Sequence, residues 1–185
     1  MRYPAGHKEA VRAEIVESAA RALRRDGLAG VSIPALMKKA GLTHGGFYVH
    51  FTNRDELVAA AVLAAAESTG KSVLSEQAGD MRDTLDAYLS NEHVKHPERG
   101  CVLASLGTEG RRQSAPVKRA FAQAARGFIR LLERKAHIAS PPEHVSDDTL
   151  ALASQMIGAV VLARLVDDEG LALRILKAAK GKAQG

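Results

Sequence analysis

Gly41-Leu-Thr-His-Gly-Gly-Phe-Tyr-Val-His-Phe-Thr-Asn-Arg-Asp-Glu-Leu57 is the stretch that decides the fold. Two helix starts are written into it. Thr43 can accept a hydrogen bond from a free backbone N–H and so cap a short helix over 44–51. Asn53, with Glu56 three residues on, has the form of a capping box. It opens a long alanine-rich helix that runs through Leu57, Val62 and Leu63 to about Val73. In the short helix, Phe47 and Phe51 are four apart and share a face that packs on the preceding helices. His44 and Tyr48 share another face, with Gly45 and Val49 beside them and His50 at its flank. A helix of about eight residues, apolar behind and aromatic or polar in front, suits docking in a DNA major groove. Gly45 and Gly46 each weaken such a helix by roughly 1 kcal/mol relative to alanine. Close approach of backbone to DNA is a compensating use.

Working outward, the segment 32–40 is a short amphipathic helix. Ser32 is its N-cap, and Pro34 is tolerated because the first turn needs no intrahelical N–H donors. Gly41 closes it. Earlier, Val11, Ile15, Ala19, Ala22 and Leu23 recur at helical spacing over 7–26, and Gly27 and Gly30 end that helix. The two helices before and after Gly41 form a helix-turn-helix, and the first helix completes a three-helix unit. Charge agrees with a polyanionic partner. Through residue 54 there are nine Lys or Arg against four Asp or Glu, and the remainder is balanced at 17 of each.

The whole chain of 185 residues is 46% hydrophobic, with no tryptophan and 4% aromatic residues. An alanine-rich, aromatic-poor composition favours closely packed helices over a β-sandwich, and no run alternates with period two. Beyond the long helix, five further helical segments are expected, over 80–93, 100–109, 114–137, 146–168 and 170–182. They are separated by helix breakers at His96-Pro97, Ser114-Ala-Pro116 and Ser140-Pro141-Pro142. The expected fold class is therefore all-α, with about nine helices. One cysteine permits no internal disulfide and fits a reducing cytosol. The first residues lack the apolar core of a signal peptide. The apolar stretch 150–166 is short for a membrane span and carries Gln155 and Arg164. A cytoplasmic protein with no membrane partner is the expectation.

The chain resembles the tetracycline-repressor (TetR) family. The resemblance rests on Ile15, Ala19, Leu23 and Gly27, then Ser32, Gly41 and Leu42. Its strongest part is Gly46-Phe47-Tyr48-Val49-His50-Phe51 followed by Asn53-Arg54-Asp55-Glu56-Leu57. It covers residues 10–63; beyond them it rests on helix number and length. It implies a helix-turn-helix DNA-binding domain over 1–53 and a helical effector-binding and dimerisation domain over 54–185. It also implies a homodimer on a palindromic double-stranded DNA operator, and repression relieved by a small-molecule effector. By position, Ser32 would meet the operator backbone, and Thr43, the cap of the reading helix, counts among the DNA-binding residues. His44, Gly45, Gly46, Val49 and His50 would face bases, and Tyr48 and Arg54 would hold phosphates. Arg54 stands where lysine is commoner, Pro34 where some members place a polar contact, and the glycine pair leaves few side chains for direct base reading. Sequence preference then leans partly on DNA shape.

The segment 146–168 is apolar almost all round. A helix of that kind is buried on every side, and a chain of this size hardly covers it near its end. Ala151, Ser154, Gly158, Leu162 and Leu165 are the expected dimer seam, small Ser154 and Gly158 allowing close approach, with Leu171, Ile175 and Ala178 of the last helix beside them. A central core helix of a monomer is the other reading. Cys101 follows His93, His96 and Arg99. Arg99 or a helix N-terminus would favour its thiolate and make it a redox or electrophile sensor; the alternative is a small buried apolar residue. His93, His96 and Cys101 match no strong metal-ligand spacing, and no metal or cofactor is expected. Leu85, Tyr88, Leu89, Leu103, Phe121, Phe128 and Leu132 are candidates for lining an effector pocket or for ordinary core. There is no nucleophile–base–acid order and no phosphate loop, so an enzyme is not expected. A regulator of the same fold worked by a protein partner, without effector, stays open.

Overall fold

Left-handed glycines set the first boundaries. Gly27 (φ 79°) ends α1, His7–Asp26, its N–H returning to the Leu23 carbonyl, and Gly41 (φ 70°) follows α2, Ile33–Lys39. Ser32 caps α2 through its hydroxyl, which accepts from Ala35 N–H at 3.4 Å, and Pro34 sits in the first turn. The computed structural model describes residues 6–72, 80–136 and 144–183. Val73, where the long helix was expected to end, the break at Ser140–Pro142 and the basic residue Arg2 lie outside them.

The described residues form ten α-helices and no strand. The remaining eight are α3, Phe47–His50; α4, Arg54–Ser72; α5, Met81–Tyr88; α6, Asn91–Lys95; α7, Val102–Gly110; α8, Ala115–Ala136; α9, Asp147–Leu165; and α10, Glu169–Ala183. Two expectations need correction. The segment 44–51 is not one α-helix. His44–Gly46 is a 3-10 turn capped by Thr43, and only Phe47–His50 is α-helical. Two consecutive glycines favour the tighter, less regular turn because they add no side-chain packing to hold an α-helical start. The segment 80–93 is likewise two helices. Leu89 leaves helical geometry, and the Ser90 hydroxyl accepts from His93 N–H at 3.1 Å, starting α6 anew.

Two cores result. The first joins Ile15, Ala19 and Leu23 of α1, Leu36 and Met37 of α2, Phe47 and Phe51, and Leu57, Val58, Ala61, Val62 and Ala65 of α4. It continues into Val102 and Leu106 of α7 and Val117, Ala120, Phe121 and Ala124 of α8. The helix-turn-helix is thus built on α4 rather than hinged beside it, and α4 lies between α1 and α8. The second core packs Leu85, Tyr88 and Leu89 against Cys101, Phe128 and Leu132. It also takes in Met156, Val160 and Ala163 of α9 and Ala172 and Leu176 of α10. Ser146 caps α9 and donates from its N–H (3.2 Å) and hydroxyl (3.1 Å) to Glu133 on α8, fixing where α9 begins.

By length and composition α9 could cross a membrane, but here it is a two-faced helix. Met156, Val160 and Ala163 are buried, whereas Ala151, Ser154, Leu162 and Leu165 are exposed and Gly158 is half-buried. Within one chain it is not covered on every side.

Candidate nucleic-acid interface and cavity

Phe47 and Phe51 are stacked with ring centroids 5.4 Å apart and are both buried, which fastens the short α3 to the first core. The opposite side faces outward. Tyr48 and Val49 are 66% and 58% exposed, and His44, edge-on to Tyr48 at 6.4 Å, is exposed with Thr43 and Gly45. Ser32 is exposed at the α2 start, and Lys38 and Lys39 are exposed in its last turn. Ser32, Thr43, His44, Gly45, Tyr48 and Val49 are thus all exposed, with Gly46 half-buried.

Gly45 and Gly46 do not have positive φ. A Cβ on Gly45 would come no nearer than 3.9 Å to another residue, and one on Gly46 no nearer than 3.6 Å. The fold itself has room for side chains at both. Gly45→Ala is therefore expected to hold or raise unfolding stability, by up to ~1 kcal/mol. If the glycine serves close approach to DNA, the same change lowers DNA affinity. Urea unfolding and a DNA titration of one preparation check both; a loss of stability would mean the glycine serves the fold.

Two expected contact residues are partly committed elsewhere. Arg54 is half-buried, and its Nη2 donates to the Leu28 carbonyl, while Leu28 N–H donates to Glu109 on α7 at 3.1 Å. His50 is half-buried with its Nδ1 enclosed, and Arg12 donates to its carbonyl at 3.4 Å. Arg12 also lies over the Phe51 ring, 4.7 Å from its centroid, and pairs with Glu56 at 3.3 Å. Burial, then the charges of Lys8, Arg12 and His7, push the His50 imidazole pKa below its ordinary value. It is held neutral in a positive surround. The expected capping box is present with a shift. Glu56 N–H donates to Asn53 Oδ1 (2.9 Å), but the Glu56 carboxylate accepts from Thr52 N–H and hydroxyl, each at 2.8 Å, rather than from Asn53 N–H.

A second feature lies between α4, α7 and α8. It is an open cavity of about 760 Å³, large enough for a ligand of drug size. Leu63, Ala66, Thr69 and Gly70 of α4 face Ala124, Gly127, Phe128 and Leu131 of α8, and Cys101, Val102 and Leu103 close one side. Glu67, Lys71, Gln123 and Arg134 supply its polar groups, with Lys71 paired to Glu67 at 2.6 Å. Of the pocket candidates read from sequence, only Leu103 and Phe128 line it. Leu85, Tyr88, Leu89 and Leu132 belong to the second core and Phe121 to the first.

Cys101 is buried at the start of α7, and its N–H donates to His93 Nε2 at 2.9 Å. Arg99 turns away to Glu92 (3.0 Å) and Glu98 (3.7 Å), so it does not attend the thiol. His93 Nδ1 meets the Tyr88 carbonyl at 2.6 Å, and both His96 nitrogens face Glu92 or Glu98. The imidazoles are thus engaged within the fold. The proposed seam residues Ala151, Ser154, Gly158, Leu162 and Leu165 form one stripe along α9, Leu162 and Leu165 being 54% and 76% exposed.

Residues 15–61 match the model of the bacterial regulatory proteins of the tetR family. The chain is similar to the HTH-type transcriptional regulator TtgR of Pseudomonas putida, 34% identical over 74 residues. That match covers 40% of this chain and spans about a third, 35%, of the relative's length. In fold it is similar to a TetR-family transcriptional regulator from Cytophaga hutchinsonii. The TM-score there is 0.77 and the identity 21%, over 99% of this chain and 98% of that one. It is also similar to AibR in complex with isovaleryl coenzyme A and operator DNA, with TM-score 0.64 and identity 16%, over 93% and 97% of the two chains. The helix-turn-helix sequence over 15–61 and the course of the described helices thus lead to the same place: residues 15–61 are of the type of the bacterial tetR-family regulatory proteins, and the fold is that of TetR-family structures.

Proposed function

We propose that the chain is a cytoplasmic, homodimeric transcriptional regulator and not an enzyme. In this reading it binds a palindromic DNA operator as a repressor and is released when a small molecule enters the α4/α7/α8 cavity. One observation carries the reading. Among the described residues, every exposed large hydrophobic side chain lies in one of two places: Tyr48 and Val49 on α3, or Leu150, Leu162, Leu165, Leu171 and Leu173 on α9 and α10. Exposed apolar surface so confined marks contact with partners. The first patch is framed by the basic part of the chain and suits a DNA groove; the second suits a copy of itself. Residues 1–53 form the reading head in this scheme and 54–185 the effector and dimer body, with α4 shared in the first core.

In the head, Ser32, Thr43, Tyr48 and Arg54 are assigned to phosphates. His44, Gly45, Gly46, Val49 and His50 are assigned to the base edges. Arg54 serves with the donors that the Leu28 carbonyl leaves free, and His50 through its accessible edge. That AibR is complexed with both an acyl-coenzyme A and operator DNA supports this pairing of partners on the fold. The buried Cys101 thiol is read as cavity wall.

Fluorescence anisotropy at near-physiological salt tests the proposal, comparing DNA from upstream of the protein's own gene with a shuffled duplex. Tight, preferential binding at one dimer per palindrome supports it, and equal binding to both removes the sequence-specific part. Tyr48→Phe deletes one phosphate-directed hydroxyl. It is expected to weaken both duplexes by a similar factor of a few, because phosphate contacts carry no sequence information. Loss confined to the specific duplex would assign Tyr48 to bases instead.

A further inference from the structure

Two guanidinium groups from distant parts of the chain, Arg24 buried and Arg164 half-buried, converge on one glycine. Arg24, in the last turn of α1, is 4% exposed and has no carboxylate partner among the described residues. It donates from Nε to the Ala20 carbonyl (3.1 Å) and from Nη1 to the carbonyls of Ala65 (3.4 Å) and Gly100 (3.1 Å). The Thr69 hydroxyl reaches the same two carbonyls, at 3.0 and 3.1 Å. From the other side, Arg164 of α9 donates to His93 O (2.7 Å), Val94 O (3.3 Å) and Ser105 Oγ (3.0 Å). A Cβ on Gly100 would lie 2.6 Å from the His93 ring and 2.9 Å from Arg164 Nη2. Only glycine fits at this crossing.

The junction touches three parts of the molecule. Arg24 belongs to the head. Arg164 adjoins Leu165 on the exposed face of α9. Thr69 and Cys101–Leu103, on either side of Gly100, are walls of the cavity. A buried charge held by neutral carbonyls makes a stiff link. Parting Arg24 from Gly100 takes from a desolvated guanidinium its shortest Nη1 bond and leaves it only the Ala20 and Ala65 carbonyls, a loss that costs more than sliding one apolar side chain past another. Arg24 must therefore follow Gly100 when that carbonyl moves. The far end of α7 is tied to the same end of α1, through Leu28 N–H and Glu109.

We propose that the hydrogen bonds of Arg24 and Thr69 to the Gly100 carbonyl transmit occupancy of the α4/α7/α8 cavity to the reading head, with Arg164 anchoring the junction to the dimer face. This rests on the reading of the chain as a ligand-gated DNA-binding protein. An occupant that parts α4 from α7 shifts Gly100, and α1 moves with it. Arg24 is a positioning residue in this scheme, since it touches neither ligand nor DNA.

The test is a double-mutant cycle on the full-length protein. Gly127 lines the cavity, and a Cβ there meets nothing within 4 Å. Gly127→Phe thus serves as a built-in occupant and no effector need be known. Wild type, Gly127→Phe, Arg24→Met and the double variant are each measured in two ways. One is affinity for DNA from upstream of the gene. The other is the distance between spin labels at Lys39→Cys and Arg130→Cys on one chain, diluted into unlabelled chain. Both label sites are exposed, and native Cys101 is buried.

Gly127→Phe is expected to displace the head and weaken DNA binding by about tenfold, within the usual range for coupled sites. Arg24→Met is expected to abolish most of both effects. The isosteric Thr69→Val, which removes one of the two donors to Gly100, is expected to reduce them partially. It also serves as the test if Arg24→Met does not fold. Equal effects of the filled cavity with and without these donors overturn the proposal, as does a filled cavity that moves nothing in the wild type. A head displacement that depends on Arg24, in a protein binding neither duplex, keeps the junction and discards the DNA-binding reading. Specific DNA binding with strictly additive variants does the reverse.

Discussion

Gly158→Leu is expected to leave the protomer folded and to dissociate the dimer. Within one chain a Cβ on Gly158 meets nothing within 4 Å, and leucine is the better helix former by roughly 0.8 kcal/mol. The substitution therefore has no reason to harm the fold. If α9 pairs with its symmetry mate through Ala151, Ser154, Gly158, Leu162 and Leu165, the added side chain enters the seam twice and holds the helices apart. The leucines of the seam give the scale. Fully burying one stabilises by about 1.5–3 kcal/mol, so replacing Leu165 by Glu in both copies removes roughly 3–6 kcal/mol. That corresponds to a rise of about a hundredfold or more in the dimer dissociation constant. Sedimentation or light scattering across a dilution series reads it. Operator affinity is expected to fall in parallel, because two linked heads on a palindrome gain from effective concentration and a single head does not. Both variants remaining dimeric at wild-type concentrations would place the interface on another face.

Which features could be read from sequence depended on whether their cause was local. The first helix ends where Gly27 makes a left-handed turn, and the second begins where Ser32 can cap it; both signals lie within four residues of the boundary they set. The stacked Phe47 and Phe51 followed from their spacing. The break at Leu89–Ser90 escaped because Ser90 interrupts an otherwise continuous helical pattern and caps α6 only once α5 has left helical geometry. Arg24 escaped for a different reason. An arginine in the last turn of an amphipathic helix reads as a solvated charge, and nothing near it in sequence announces the Gly100 carbonyl that receives it. The cavity escaped because bulky side chains were sought as its lining. It lies where α4 and α8 present Ala66, Gly70, Ala124 and Gly127 to each other, so the signal was missing volume on two helices whose juxtaposition only the tertiary fold creates. Arg54 was read as a free phosphate donor, yet the α1–α2 turn already uses it through Leu28.

A steep loss of stability between pH 6.5 and 4 is expected from His93 alone. Its ring is locked as a neutral tautomer. Nε2 must accept from Cys101 N–H at 2.9 Å, so the proton resides on Nδ1 and is donated to the Tyr88 carbonyl at 2.6 Å. Protonating Nε2 would set two N–H groups against each other in a buried site beside the Arg164 guanidinium. Burial, opposed by the bond to Tyr88 and reinforced by Arg164, lowers the pKa from 6.5 to about 4. The unfolded chain takes up this proton near pH 6.5 and the folded one only near 4. The stabilisation is thus complete above 6.5, declines as pH falls through that window, and levels off below 4. Its size is about 3 kcal/mol, by the free energy of such a displacement. Carboxylates also begin to titrate at the acid end. Glu56, held by Thr52, and Asp86, held by Lys180, both have lowered values and lose their stabilisation further down. The difference between wild type and His93→Gln isolates the imidazole. Urea unfolding at steps from pH 7.5 to 4 should show the wild type losing about 3 kcal/mol more than the variant across the window. Parallel curves would mean that His93 takes up its proton inside the folded protein, and that the Tyr88–His93–Cys101 chain rearranges to admit it.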